Sequence, residues 1–208
     1  MNAFVLAGGA SSRMGRDKAL LPLHGKPLIQ HALAKLDTIG FAPRIVGSRP
    51  DLASFASIVP DNFPQSGPLG GIEAALAASE ADQNIVLAVD LPLLPPSFLR
   101  WIADRAALTN ALATIPLLQG RPQPLCAVYS RALLPRVRTA LAAGRAKVMH
   151  AVEAAAAALD APIDAFDVES VASAQSWPQR LPLHRWFQNI NTPADLESLT
   201  LEHFASIE

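Results

Sequence analysis

Short apolar runs alternate along this chain with stretches whose apolar residues recur every three or four positions. Residues 3–7 (AFVLA) read as a short buried strand. "KPLIQHALAKLDTIG" predicts a helix. Pro27 suits its first position, Leu28, Ala32, Leu33 and Leu36 share one face, and Gly40 can end it in the left-handed region. "RIVGS" and "SIVPD" predict a second and a third strand, and "GPLGGIEAALAAS" a glycine-rich entry into a helix. "NIVLAVD" is the clearest strand. It is apolar from Ile85 to Val89, as suits a strand covered on both faces. "LPPSFLRWIADRAAL" follows as loop and helix, then "NALATIPLL" and "PLCAVYS" as two strands around the turn "QGRPQ". "RALLPRVRTALAAG" and "KVMHAVEAAAAAL" predict two helices separated by Gly144, with Pro135 in the first turn of the earlier one. Residues 160–186 show weak periodicity and yield no element. "FQNI" is expected to be a final strand. "TPADLESLTLEHF" is expected to be a final helix, with Thr192 as N-cap, Pro193 first and Asp195 third.

Strands alternate with helices through residue 105. That order predicts an α/β fold with a mostly parallel central sheet and helices on both faces. The middle strands lack intervening helices, which predicts a small antiparallel addition. The 208 residues suit one domain, and with half of them hydrophobic a packed core is expected. Seventeen basic residues balance 18 acidic ones, so no broad field favours nucleic acid or an anionic membrane. Cys126 is the only cysteine, which excludes an internal disulfide. Its apolar neighbours mark it as a core residue rather than a nucleophile. No apolar run reaches the roughly 18 residues needed to span a bilayer. The N-terminus lacks a basic signal region, so the expected location is the cytosol.

Five stretches carry candidate chemistry. The opening loop, "LAGGASSRMGRDK", fits neither G-x-x-x-x-G-K-[ST] nor G-x-G-x-x-G. Yet Gly8 and Gly9 admit an anion to the backbone, successive N–H groups can form a nest, and Arg13 and Lys18 can neutralise phosphate. Residue types alone leave an ordinary turn open beside this reading. Asp90 ends the best strand, at the edge where parallel sheets bind ligands, and a carboxylate there suits Mg²⁺ or a turn cap. In "PDNFPQSGPLGGI", Gly67, Gly70 and Gly71 permit close backbone approach, and Asp61 can accept hydrogen bonds from a base or ribose. Asn189 and Asn191 fall on one face of the expected last strand, suited to a ligand, a metal shell or simple capping. Arg121, in a turn, suits an anionic substrate or plain solvation. The five histidines lack metal-ligand spacing, and no G-x-S-x-G occurs.

Taken in order, "LAGGASSRMGRDKALLPLHGKPL", "GPLGGI", "VDLPLLPP", "RPQPLCAVYSRALLP" and "NINTPADL" resemble the molybdopterin nucleotidyltransferase family over nearly the whole chain. The double glycine of "LAGG" and the "NINTP" motif resemble its guanylyl branch, the MobA-type molybdenum cofactor guanylyltransferases. The resemblance implies a Rossmann-like nucleotidyltransferase fold and GMP transfer from GTP to the terminal phosphate of molybdopterin or its molybdenum complex. A CTP-using relative and a silent nucleotide-binding regulator are the alternatives. The resemblance implies nucleotide contacts at Leu6, Ala7, Gly8, Gly9, Ser11, Ser12, Gly15, Lys18, Asp61, Gly67 and Asp90, with catalytic roles for Lys18, Asp90 and Arg13. It further implies Mg²⁺ as cofactor, on Asp90 and Asn191, with Asn189 and Asn191 toward the metal and pterin side. The substrates implied are GTP and the molybdenum cofactor, with cofactor-delivery or acceptor proteins as further partners. Val46 stands where relatives often carry an Asn that contacts the nucleotide, with Ser48 nearby.

Overall fold

The computed structural model describes residues 1–8, 17–175, 177, 181–190 and 195. In chain order the strands and α-helices are β1 (Asn2–Leu6), β2 (Pro22–Leu23), β3 (Lys26–Pro27), α1 (Leu28–Thr38), β4 (Pro43–Val46), β5 (Ile58–Val59), α2 (Gly67–Ala77) and β6 (Gln83–Ala88). Then come α3 (Pro96–Thr109), β7 (Ala113–Leu118), β8 (Arg121–Pro122), β9 (Cys126–Ser130), α4 (Leu134–Ala142), α5 (Val148–Leu159), β10 (Ile163–Asp167), α6 (Val168–Ala172) and α7 (Leu183–Trp186). The main sheet runs β10-β7-β9-β6-β1-β4-β5, with β8 paired to β7, while β2 and β3 form a separate two-stranded ribbon.

β1 pairs in parallel with both β4 and β6, and β4 pairs in parallel with β5. β9 runs antiparallel between β6 and β7, which is the expected antiparallel addition, set inside the sheet rather than at its edge. The chain moves outward from β1 to β4 and β5, then crosses back to β6 on the other side of β1. That reversal brings the carboxyl ends of β1, β4 and β6 side by side.

Side-chain alternation sorts the strand residues into two cores. Ala3, Val5, Ile85, Leu87 and Val128 pack against α1 and α3 on one face. Phe4, Leu6, Val86, Ala127 and Tyr129 pack against α2, α4 and α5 on the other. The first core is closed by an aromatic cluster around Phe98, whose ring centroid lies 5.3 Å from Trp177, 5.7 Å from Trp186 and 5.7 Å from Phe187. These contacts dock residues 183–190 against α3. The Ile190 N–H then donates to Asp90 O at 3.0 Å.

Three expectations change, and a fourth lies outside the described residues. Pro27 is the N-cap of α1 rather than its first residue, because Lys26 and Pro27 pair with Pro22 and Leu23. Phe187–Ile190 is not a strand. Phe187 and Ile190 are both buried, a spacing of three that strand alternation does not give. β10 escaped the sequence because an edge strand with one buried residue, Phe166, carries no apolar run. The expected C-terminal helix, Asp195 aside, lies outside the described residues. No helix among the described residues is long and apolar enough to cross a membrane.

Phe98→Ala removes the centre of the aromatic cluster. We expect a loss of about 3–5 kcal/mol, the range for a buried Phe→Ala change, measured by urea denaturation followed by circular dichroism.

Candidate active site

A cavity of about 830 Å³ opens over the carboxyl ends of β1, β4 and β6. Leu6–Gly8, Val46 and Ala88–Asp90 form its floor, and the segment from Phe63 to Pro68 forms one wall. Lys18 opens a 3-10 turn, Lys18–Leu20, whose N-cap Asp17 accepts from the Ala19 N–H at 3.0 Å. That turn aims Lys18 across the floor, where its Nζ donates to Asp90 Oδ2 at 3.3 Å. Both side chains keep solvent access, at 27% and 18%. A cation and a carboxylate therefore meet at the edge where the sheet offers its strand ends, with open volume beside them. Such a pair suits a polyanion that arrives with a metal cation.

Asp61 follows β5 and leans back toward β1. A Cβ built on Gly8 would sit 3.3 Å from Asp61 Oδ2, so the glycine makes room for this carboxylate. Desolvation pushes the Asp61 pKa up, and a hydrogen bond from the Ser48 backbone pulls the other way. Among the described residues no cation pairs with Asp61. Two neighbouring ties hold the loop that carries it. Glu73, fully buried on α2, accepts from Asn62 Nδ2 at 2.9 Å and from Arg138 Nε at 2.7 Å.

Arg49, Asp17, Glu73 and Asn62 were not singled out in the sequence. Arg49 lines the cavity and grips Asp17, with Nη1 3.1 Å from Oδ1, and also Asp51, with Nε 2.9 Å from Oδ1. These bonds, to Asp51 foremost and then to Asp17, hold the guanidinium pKa above its ordinary value against desolvation. Only the spatial pairing of distant segments reveals these roles. The string "SRPDL" carried no signal for it.

Leu6, Ala7, Gly8, Lys18, Asp61, Gly67 and Asp90 all line the one cavity. Gly9, Ser11, Ser12, Arg13, Gly15 and Asn191 lie outside the described residues. Asn189 is exposed and does not line the cavity, although its neighbour Ile190 is bonded to Asp90. Arg121 sits exposed on β8, away from the lining. Gly70 serves packing, and Gly71 lines the cavity while packing closely on Leu6. A Cβ on Gly70 would come within 2.9 Å of Phe63 O, and one on Gly71 within 3.1 Å of the Leu6 side chain. Val46 is buried beside Gly71 and brings no polar side chain to the floor. Cys126 is buried, and desolvation raises its thiol pKa to about 12, as befits a core residue.

A mostly parallel sheet with a cation–carboxylate pair in a cleft over its strand ends is an arrangement suited to the phosphates of a nucleotide. Residues 3–159 match the model of the MobA-like NTP transferase domain, and the chain belongs to that family. It is 33% identical over 214 residues to the probable molybdenum cofactor guanylyltransferase of Deinococcus radiodurans, covering 100% of this chain and 98% of that one. It is 38% identical over 202 residues to that of Mycobacterium bovis, covering 93% and 90%. The crystal structure of molybdopterin-guanine dinucleotide biosynthesis protein A from Archaeoglobus fulgidus superposes with a TM-score of 0.79, at 27% identity over the full length of both chains.

Lys35 of α1 gives the folded state a pH signature. Desolvation pulls its pKa from 10.5 down to about 7. Between those values the unfolded chain holds the extra proton, so raising pH favours the folded state. Cys126 works in the opposite sense from its ordinary 9.0 up to about 12, because there the unfolded thiol ionises first. We therefore expect the urea midpoint to rise from pH 7 to 9 and Lys35→Met to flatten that rise, checked by denaturation at each pH.

Proposed function

We propose that this chain transfers GMP from GTP to the terminal phosphate of molybdopterin, or of its molybdenum complex, releasing pyrophosphate and forming the guanine dinucleotide cofactor. The observation that carries the reading is the Lys18–Asp90 contact, 3.3 Å long, at the strand-end cavity. Its likeness to molybdenum cofactor guanylyltransferases supports the base and the acceptor. In this reaction a phosphate oxyanion attacks the α-phosphorus, the bond to the β-phosphate oxygen breaks, and pyrophosphate leaves with the electron pair. The nucleophile is already deprotonated, so the chemistry asks for positioning and charge stabilisation rather than a general base. Lys18 offsets charge on the departing phosphates. Arg13 is proposed to assist from the glycine-rich loop, with Gly9, Ser11, Ser12 and Gly15 around the phosphates.

The residues fit Mg²⁺. Among the described residues, the Asp90 carboxylate receives one hydrogen bond, from Lys18, and no group of three or more His, Cys, Asp or Glu side chains forms a closed cage. One hard carboxylate beside phosphate oxygens is how Mg²⁺ commonly binds nucleotides. Asp90 would hold the ion, with Asn191 as second oxygen donor on the resemblance alone. When bound, the ion supplies Lewis-acid charge to phosphate oxygens. We assign Asp61, which lines the cavity, to the base, since a carboxylate can accept from both the N1–H and the N2 amine of guanine. A cytidylyl reading lacks this match, because cytosine presents no such pair of donors.

Pyrophosphate release with Mg²⁺ and molybdopterin, comparing GTP, CTP and ATP, is expected to select GTP. Lys18→Ala and Asp90→Ala are each expected to lower turnover by about 100-fold or more. Asp61→Asn, which turns one acceptor into a donor, is expected to weaken GTP use by about 100-fold and to improve use of the xanthine nucleotide. Near-normal turnover in both charge variants, or CTP selectivity, would sink the assignment.

A further inference from the structure

The loop after Asp90 is poor in hydrogen-bond donors, because Pro92, Pro95 and Pro96 have no N–H. Three successive carbonyls in it are nonetheless taken, all from outside the loop. Asp90 O accepts from the Ile190 N–H at 3.0 Å. Leu91 O accepts from Lys35 Nζ at 3.3 Å, and Pro92 O accepts from the same amine. Lys35 is only part-exposed on the core-facing side of α1, between Leu33 and Leu36, and it makes no ion pair among the described residues. Among the described residues Cys126 on β9 is the titratable group that acts on it, and burial keeps that thiol neutral. A desolvated amine is costly to keep, and a leucine would fill the space without that cost. What a leucine lacks is donors for the two carbonyls that follow Asp90.

We propose that Lys35 is a positioning residue for Asp90: from α1 it fixes the Leu91 and Pro92 carbonyls, and so sets the direction in which the Asp90 carboxylate meets a divalent cation. This rests on the reading of Asp90 as the metal-binding carboxylate. The two lysines meet different atoms of this segment, so they have separate tasks. Lys18 touches the carboxylate, and Lys35 touches only the backbone behind it. Outer-shell partners of this kind typically change metal affinity by about 10–100-fold when removed.

Two measurements on the full chain test this. The first is hydrogen exchange of the segment from Val89 to Leu94, without metal. The second is Mn²⁺ binding to the enzyme–GTP complex, followed by electron paramagnetic resonance. Lys35→Met is expected to speed exchange in that segment and to weaken Mn²⁺ binding about tenfold, with GTP affinity in chelator unchanged. Lys35→Gln keeps two N–H donors without the charge and is expected to recover part of both effects. It also carries the comparison if Lys35→Met fails to fold. Val137→Ala, in the opposite core, supplies a control for general destabilisation. The proposal is overturned if exchange or Mn²⁺ binding in the Lys35 variants matches wild type, or if Val137→Ala shows the same changes. Equal Mn²⁺ binding by wild type and Asp90→Asn sinks the metal reading instead, and the exchange result still decides whether Lys35 holds the loop.

Discussion

Everything in this molecule depends on the double parallel pairing of β1. The strand is covered on both faces, and its two edges are taken by β4 and β6. A strand enclosed in this way has no lateral surface to offer, so its chemistry emerges only at its end. The chain leaves β1 at Ala7–Gly8 and opens directly into the cavity. Backbone bonds set the neighbouring strand ends against it. Ala7 N–H donates to Val46 O at 2.9 Å, and Val89 N–H donates to Leu6 O at 3.1 Å. Gly47 completes the fit, since a Cβ there would stand 2.9 Å from Gly8 N.

Around that floor, polar ties connect segments far apart in sequence. Lys18 and Asp90 are 72 residues apart, Arg49 and Asp17 are 32 apart, and Arg138 and Glu73 are 65 apart. Two of these ties join loop or turn residues across the cavity, and the third joins α4 to α2. Part-exposed ion pairs of this type contribute little to stability, about 0–1 kcal/mol each. Their value is geometric, because they decide where the charged groups stand once hydrophobic burial has set the frame. The buried Glu73 is the exception. Removing Arg138 would leave its carboxylate buried with the Asn62 hydrogen bond but without a countercharge.

Much of this was legible in the sequence. The apolar runs of β1 and β6 and the helical spacing of α1 and α3 specify their elements, because both strand faces and one helix face are buried. Lys18 in the opening loop and Asp61 and Asp90 after strands stood out as chemistry-bearing residues, and they do line one cavity. Short pieces were harder to read. β2, β3 and β8 have two residues each, too few for a period, and β10 is an edge strand with one buried side chain. In "GPLGGI" the glycines divide their tasks: Gly70 admits the Phe63 carbonyl, whereas Gly67 and Gly71 line the cavity. Arg49, Glu73 and Lys35 were invisible because their meaning lies in partners distant along the chain.

The two cores also divide the aromatic residues. Trp101, Trp177 and Trp186 all belong to the layer of α1 and α3, while the single tyrosine, Tyr129, lies in the layer of α2, α4 and α5. Its hydroxyl donates to Pro124 O at 2.6 Å. Each face of the sheet thus carries its own natural chromophore. Indole emission reports on the layer that holds residues 183–190 against α3, and phenol absorbance reports on the layer behind the Asp61 loop. The protein comes optically labelled on both sides, with no engineered probe.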